Sequence, residues 1–227
     1  MKKNKLIIAL AIATCASAVM ADDDKIDYSL SVKTWHNTLY VANKDTNITL
    51  QAANSPIIGL TAKKGDYFVT VQTMVESSYH TVSSSTSTWL ARKDLDFAFG
   101  YRYNPNISLI AGYKTLWMKD GSQTDWLERH SGVYFGVAGF KPVTDSVFAY
   151  GNFTYAPSMS NQGTASIDVT NSIKFMNYEV GAGYTLTNTS QLVAGFRTQQ
   201  VKDYNVTQSR SEKAIMKGIT LGLNVNF

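Results

Sequence analysis

Three histidines, His36, His80 and His130, are the side chains whose ordinary pKa lies nearest neutrality in this chain of 227 residues. A histidine serves as a general base only if a nucleophile lies within hydrogen-bond reach and a third group orients the ring. Ser78 stands close to His80, and Asp125, Glu128 and Ser131 stand close to His130. Such partners would suit hydrolysis of an ester or a peptide. Disulfides and thiol chemistry are not expected, because the one cysteine, Cys15, falls in a segment expected to be removed.

Two further patterns bear on chemistry. Lys119-Asp120-Gly121-Ser122-Gln123-Thr124-Asp125 gathers oxygen ligands in one connection. It lacks the ligand order of an EF-hand, and Asp-Gly is first a turn signal, so no metal is expected. No cofactor motif is present. Asp45-Thr46-Asn47-Ile48-Thr49 and Asp203-Tyr204-Asn205-Val206-Thr207 both fit an extended Asp-x-Asn-x-Thr sequon. Chance accounts for them more readily in connections rich in Asn and Thr, and whether Asn47 or Asn205 is glycosylated stays open.

Met1 to Ala21 reads as a secretory signal: Lys2, Lys3 and Lys5 precede an apolar run from Leu6 to Ala13, with small residues up to Ala21. Ile12-Ala13-Thr14 before Cys15 has the look of a lipobox, but Thr14 suits it poorly. With the leader removed, 18 Lys and Arg face 17 Asp and Glu. No basic patch remains to neutralise phosphates along a nucleic acid, so that class of partner is excluded. The expected organisation is therefore 1–21 as signal and 22–227 as one domain.

The elements that would hold these residues are strands. After the leader there is no run long enough for a helical span, which needs about 20 apolar residues. Alternation with a period of two recurs instead. Leu95, Phe97, Phe99, Tyr101 and Tyr103 oppose Asp96, Ala98, Gly100 and Arg102; Tyr178, Val180, Ala182, Tyr184 and Leu186 oppose Asn177, Glu179, Gly181, Gly183 and Thr185. Ten such segments run over 26–41, 48–62, 67–78, 89–103, 107–118, 130–140, 147–156, 173–186, 190–200 and 214–227. Segments two, six and seven have the least clear phase.

Connections alternate in length. Short ones (Lys63 to Asp66, Asn104 to Asn106, Lys141 to Ser146, Thr187 to Thr189) carry turn residues, and the polar ones at 42–47, 79–88, 119–129, 157–172 and 201–213 are longer. A soluble sandwich or a lipocalin-like barrel would also alternate, but it has no reason to order its loops this way. A transmembrane barrel has, with short turns on one side and long loops on the other. The fold class is thus all-β: a transmembrane antiparallel up-and-down barrel of ten strands, with eight or twelve as alternatives. Closure follows, because lipid offers no partner to a free strand edge. Tyr101, Tyr103, Tyr184 and Phe227 are expected as interfacial anchors at one rim, and Trp35, Trp117 and Tyr155 at the other.

On this phase the inward charges are Lys33, Glu76, Asp96, Arg102, Lys114, Glu179 and Arg197. Pairing Tyr103 with Ile107 places Asp96 opposite Lys114, and a three-residue turn at Thr187-Asn188-Thr189 places Glu179 opposite Arg197. Two lumen ion pairs, Asp96–Lys114 and Glu179–Arg197, are expected. Eight strands leave an interior that side chains fill and 16–18 leave an aqueous pore, so ten strands with inward charges imply a plugged or very narrow passage.

The last segment puts Leu221, Leu223, Val225 and Phe227 on one face. It resembles the C-terminal assembly signal of Gram-negative outer-membrane proteins, which the barrel-assembly machinery reads. As a pattern, the whole mature chain is similar to small outer-membrane barrels of the OmpA-like and opacity-like kind. That resemblance implies residence in the outer membrane after signal cleavage, with lipid and lipopolysaccharide as partners and an extracellular ligand left unnamed. Barrel-borne lipid A hydrolases, acyltransferases and omptin-type proteases keep their sites at the outer strand ends, where the three histidines fall. The spacings here match none of them, and the paired acidic and Asp-His motifs of omptins have no counterpart. The sequence is therefore read as a barrel without enzymatic activity, with a structural, adhesive or ligand-contacting role. A narrow channel for small solutes is the alternative, and an enzyme acting on lipid A or peptides the second.

Overall fold

The computed structural model describes residues 25–42, 47–81, 89–120, 128–161, 171–205 and 210–227. The expected signal with Cys15, the turn signal Gly121 and Asp125 lie outside the described residues. So do Asp45 and Thr46 of the first sequon and Val206 and Thr207 of the second.

Every element is a strand: β1 (Asp27–Ala42), β2 (Asn47–Thr49), β3 (Ala53–Lys64), β4 (Tyr67–His80), β5 (Trp89–Asn104), β6 (Ile107–Asp120), β7 (Glu128–Pro142), β8 (Val147–Asn161), β9 (Asn171–Thr187), β10 (Ser190–Asn205) and β11 (Arg210–Asn226). From β3 to β11 each pairs antiparallel with the next; β1 pairs with β3 on one side and with β11 on the other. The pairing of β1 with β11 runs from Ser29 against Asn226 to Ala42 against Lys213 and closes a ten-stranded barrel. The ten expected segments correspond to the ten long strands, with β2 as a detached piece of the second. β2 and β3 face β1 in registers that differ by one residue. Across the break, Leu50 N–H bonds Leu39 C=O at 2.8 Å and Gln51 N–H bonds His80 C=O at 2.8 Å. That slip explains the unclear phase of segment two.

Alternation sorts the two faces as the sequence predicts. Outward, Val32, Phe135, Val180, Ile219 and Leu221 are about half exposed. Inward, two clusters fill the half of the barrel away from the short turns. Trp35, Leu39, Ile57, Met74, Tyr79 and Met216 form one; Leu116, Ala156, Met159, Ile173, Phe175 and Val201 belong to the other. Apolar residues inside and outside leave the polar network described below enclosed by the barrel wall.

The short turns deviate in register. Lys64 faces Tyr67 across Gly65-Asp66, and Gly65 adopts φ 57°, which a residue with a Cβ disfavours. Asn104, not Tyr103, faces Ile107, and Thr187 faces Ser190, so both hairpins have two-residue turns with an extra residue in the first strand. The registers above them, where the charges lie, are unaffected. Phe68 and Phe148 lie inward across from Gly100 and Gly183, where a Cβ would overlap either ring.

Candidate functional site

The lumen holds the chain's densest polar chemistry. Arg92 and Asp94 project inward from β5, two residues apart on one face as the pleat requires. Arg92 grips the Asp94 carboxylate with both arms, Nε to Oδ1 at 3.0 Å and Nη2 to Oδ2 at 3.1 Å. It also donates to Gln199 Oε1 at 2.7 Å and to Met216 Sδ at 2.7 Å. Lys114 on β6 continues the chain, with Nζ 2.9 Å from Asp94 Oδ2 and 2.7 Å from Asp96 Oδ2. Charges alternate Arg92, Asp94, Lys114, Asp96, and the first three are almost wholly buried. Such a chain tolerates burial because each charge meets its opposite with hydrogen bonds as well. The Phe175 ring lies 5.0 Å from Lys114 Nζ and shields it.

A second cluster lies nearer the short turns. The Glu179 carboxylate, also buried, accepts from Lys33 Nζ at 3.3 Å, Tyr150 OH at 3.0 Å and Thr220 Oγ1 at 3.0 Å. Arg197 faces Glu179 in the register of β10 with β9. Its Nε instead donates to Asn177 Oδ1 at 2.9 Å, and its guanidinium lies 5.1 Å over the Trp35 ring. The carboxylate's ion partner is thus Lys33 on β1 rather than Arg197, because Arg197 is drawn towards the amide and the indole. Asp96 does face Lys114 and is in contact with it. Between the two clusters lies a cavity of about 210 Å³ with a mixed lining, Lys33, Gln72, Glu179 and Arg197 alongside Phe68 and Ile110. Asn37, Ser55 and Tyr79 close a third, small ring: Tyr79 OH donates to Asn37 Oδ1 at 2.8 Å and Asn37 Nδ2 to Ser55 Oγ at 3.0 Å.

Several expectations change. Glu76 is not in the lumen: β4 carries an extra residue between Met74 and Ser77, which reverses its faces. Glu76 instead meets Lys119 at 3.3 Å. The same reversal turns Ser78 and His80 outward, His80 against the Trp89 ring at 6.2 Å. His36 is also outward, with Nδ1 2.9 Å from Asn54 Oδ1, whereas His130 is inward and buried. His36 and His80 therefore face outward and His130 inward, so the three do not share one face. Ser131 Oγ pairs with Ser160 Oγ at 3.2 Å, and Ser160 Oγ donates to the Ser131 carbonyl at 3.0 Å. Trp35 is not a rim anchor, for it is wholly buried in the lumen.

Arg92 and Asp94 are the residues the sequence reading passed over. The phase that assigned Asp96 inward assigns them too, had it been followed one turn of the pleat further up β5. Among the described residues, no three His, Cys, Asp or Glu side chains gather as a metal site. At the last strand, Leu221, Leu223 and Phe227 are exposed outward, and Phe227 joins Tyr28 through paired backbone bonds at 2.9 and 3.1 Å and ring stacking at 6.1 Å. Asn47 Oδ1 accepts from Tyr40 OH at 3.0 Å.

No protein-family model matches the chain. No curated protein matches it in sequence. Solved structures do match in fold. The outer membrane protease OmpT from Escherichia coli is similar with a TM-score of 0.53 at 13% identity, over 91% of this chain and 98% of that one. The translocator domain of the autotransporter NalP from Neisseria meningitidis matches at 0.45 and 9% identity, over 99% and 96%. The toluene transporter TodX of Pseudomonas putida matches at 0.39 and 9% identity, over 93% and 92%. The expectation of a chain without enzymatic activity is corrected here: a barrel of this architecture is a protease, so neither the strand count nor the barrel form argues against catalysis. With a closed ten-stranded wall, an apolar exterior and a polar network enclosed beside apolar clusters in its lumen, the chain has the fold of the small outer-membrane β-barrels.

Proposed function

We propose that this chain is a sealed barrel of the outer membrane whose outer connections carry its ligand contacts. One observation supports sealing above all: the Arg92–Asp94–Lys114–Asp96 chain sits against the apolar clusters in the outer half of the lumen. An ion entering would have to break charge-assisted bonds that nothing else in the interior replaces. Work on a partner then falls to the polar connections at the outer rim, since loops borne on a rigid scaffold are where binding residues concentrate.

Planar bilayers test sealing directly. The folded protein should give no conductance steps, and Arg92→Ala/Asp94→Ala, which removes one charge of each sign, should give small ones. Regular ohmic steps from the unaltered protein would overturn the reading. A second reading, a narrow passage for small solutes, draws on the cavity of about 210 Å³. It requires those steps. Deleting the outer connections while the barrel keeps its heat-shifted gel mobility should abolish surface binding on the first reading.

A further inference from the structure

Three lysines stand side by side on the outer wall. In the pairing of β10, Lys202 faces Lys174 of β9 on one side and Lys213 of β11 on the other. Directly opposed residues of antiparallel strands share a face, with Cβ atoms about 4.5–5.5 Å apart, and like charges so placed repel. Their chain neighbours Ile173 and Val201 are buried inward, so the lysines point out; Lys174 and Lys202 are exposed and Lys213 half-buried. Lys217, exposed on the same face of β11, extends the patch towards the short turns. A row of like charges across three neighbouring strands is unfavourable in the barrel alone.

Its height explains it. Below the row, the outward residues are uncharged from Met176 to Leu186 on β9, from Leu192 to Gln200 on β10 and from Ile219 to Phe227 on β11. Each run matches the about 9–11 residues that a strand needs to cross the hydrocarbon layer. The wall elsewhere marks the same level. Trp117 on β6 lies between Lys93 of β5 and Arg129 of β7, with the cations 5.4 and 5.8 Å from its ring. Below them the outward faces of β5 and β6, and of β7 as far as Gly139, are likewise free of charge. The cations begin where the apolar wall ends, on the side away from the short turns, at the depth of the outer headgroups.

We propose that Lys174, Lys202 and Lys213, supported by Lys217, bind the phosphates of a phosphorylated glycolipid of the outer leaflet. Three ammonium groups converge on one outward strip, and a phosphate there turns mutual repulsion into shared attraction. Ammonium groups act as point charges for phosphate and need no fixed fork geometry, so the strip accepts a headgroup without a preformed pocket. The inference rests on the outer-membrane placement above but not on the sealing of the lumen.

The test uses the folded protein in neutral detergent, with folding verified by heat-shifted gel mobility. Native mass spectrometry counts retained diphosphoryl lipid A against the same lipid stripped of phosphate. The unaltered protein should retain the phosphorylated lipid at least about tenfold better, and Lys174→Gln/Lys202→Gln/Lys213→Gln should lose that preference. Lys63→Gln/Lys64→Gln at the opposite rim should keep it. Should the triple variant fail to fold, Lys202→Gln alone decides, because it removes the middle charge. In lipid-free detergent Lys202→Gln should raise the unfolding temperature by about 1–3 °C through relief of repulsion, and with diphosphoryl lipid A it should lower it. Equal retention of stripped lipid, unchanged preference in the variants, or displacement of the lipid by millimolar inorganic phosphate would each overturn the proposal.

Discussion

Arg92 and Asp94, two residues apart on one strand, hold each other by two parallel bonds of 3.0 and 3.1 Å inside the barrel. The pair is joined to Lys114, so Asp94 balances two cations at once. Asp94→Asn keeps the shape and removes the charge that both need. A buried ion left without its partner costs about 3–5 kcal/mol. The midpoint of urea unfolding in detergent should fall accordingly, and a loss below about 1 kcal/mol would show that the network is wet.

Glu179 has two cationic neighbours, and the geometry separates them. A double-mutant cycle of Lys33→Met with Glu179→Gln should give a coupling of about 1–3 kcal/mol, since the ammonium contacts the carboxylate at 3.3 Å. The cycle of Arg197→Gln with Glu179→Gln should give less, as the guanidinium is committed to Asn177 and Trp35. The reverse order would restore the ion pair expected from register alone.

How far these contacts could be read in advance depends on what fixes them. The ten strands and the inward side of Asp96, Lys114, Glu179 and Arg197 follow from period-two alternation, because one buried face forbids a one-residue slip. The two hairpin registers rest on the turns instead, where the extra residue beside each two-residue turn leaves the pairing above it as a three-residue turn would. Extra residues do not announce themselves. Nothing in Val75-Glu76 says that β4 gains a residue there, and Glu76, Ser78 and His80 accordingly change sides. β8 gains one between Ala156 and Met159, where Pro157 does mark the irregularity. Partner choice is the other gap. Register brings Arg197 opposite Glu179, but Asn177 stands on β9 of the same hairpin while Trp35 and Lys33 stand on β1, beyond β11, and the sequence does not place them at one height.

Gly183 gives way to the Phe148 ring, which lies across it inside the barrel. Gly183→Ala must push that ring off the wall and out of its contact with Phe140, whose centroid is 4.9 Å away. The cost should be about 1–3 kcal/mol, read from urea unfolding. Pairing the change with Phe148→Leu should recover most of it, which loss of backbone freedom alone would not.

Phe227 and Tyr28 clasp the first and last strands at the seam, ring on ring at 6.1 Å. Phe227→Ala removes an aromatic pair worth about 0.5–1.5 kcal/mol beyond its area. Refolding into lipid vesicles, followed by gel mobility, should give a lower folded fraction at intermediate urea. Phe227→Tyr should refold like the unaltered chain.

Among the described residues, the charges around the cavity and in the chain above it are Arg92, Lys114, Lys33 and Arg197 on one side and Asp94, Asp96 and Glu179 on the other. That stretch of the lumen therefore carries a surplus of positive potential, in surroundings that screen it weakly. Whatever slips through when the packing breathes would be sorted by sign: chloride tolerated, potassium and protons turned back.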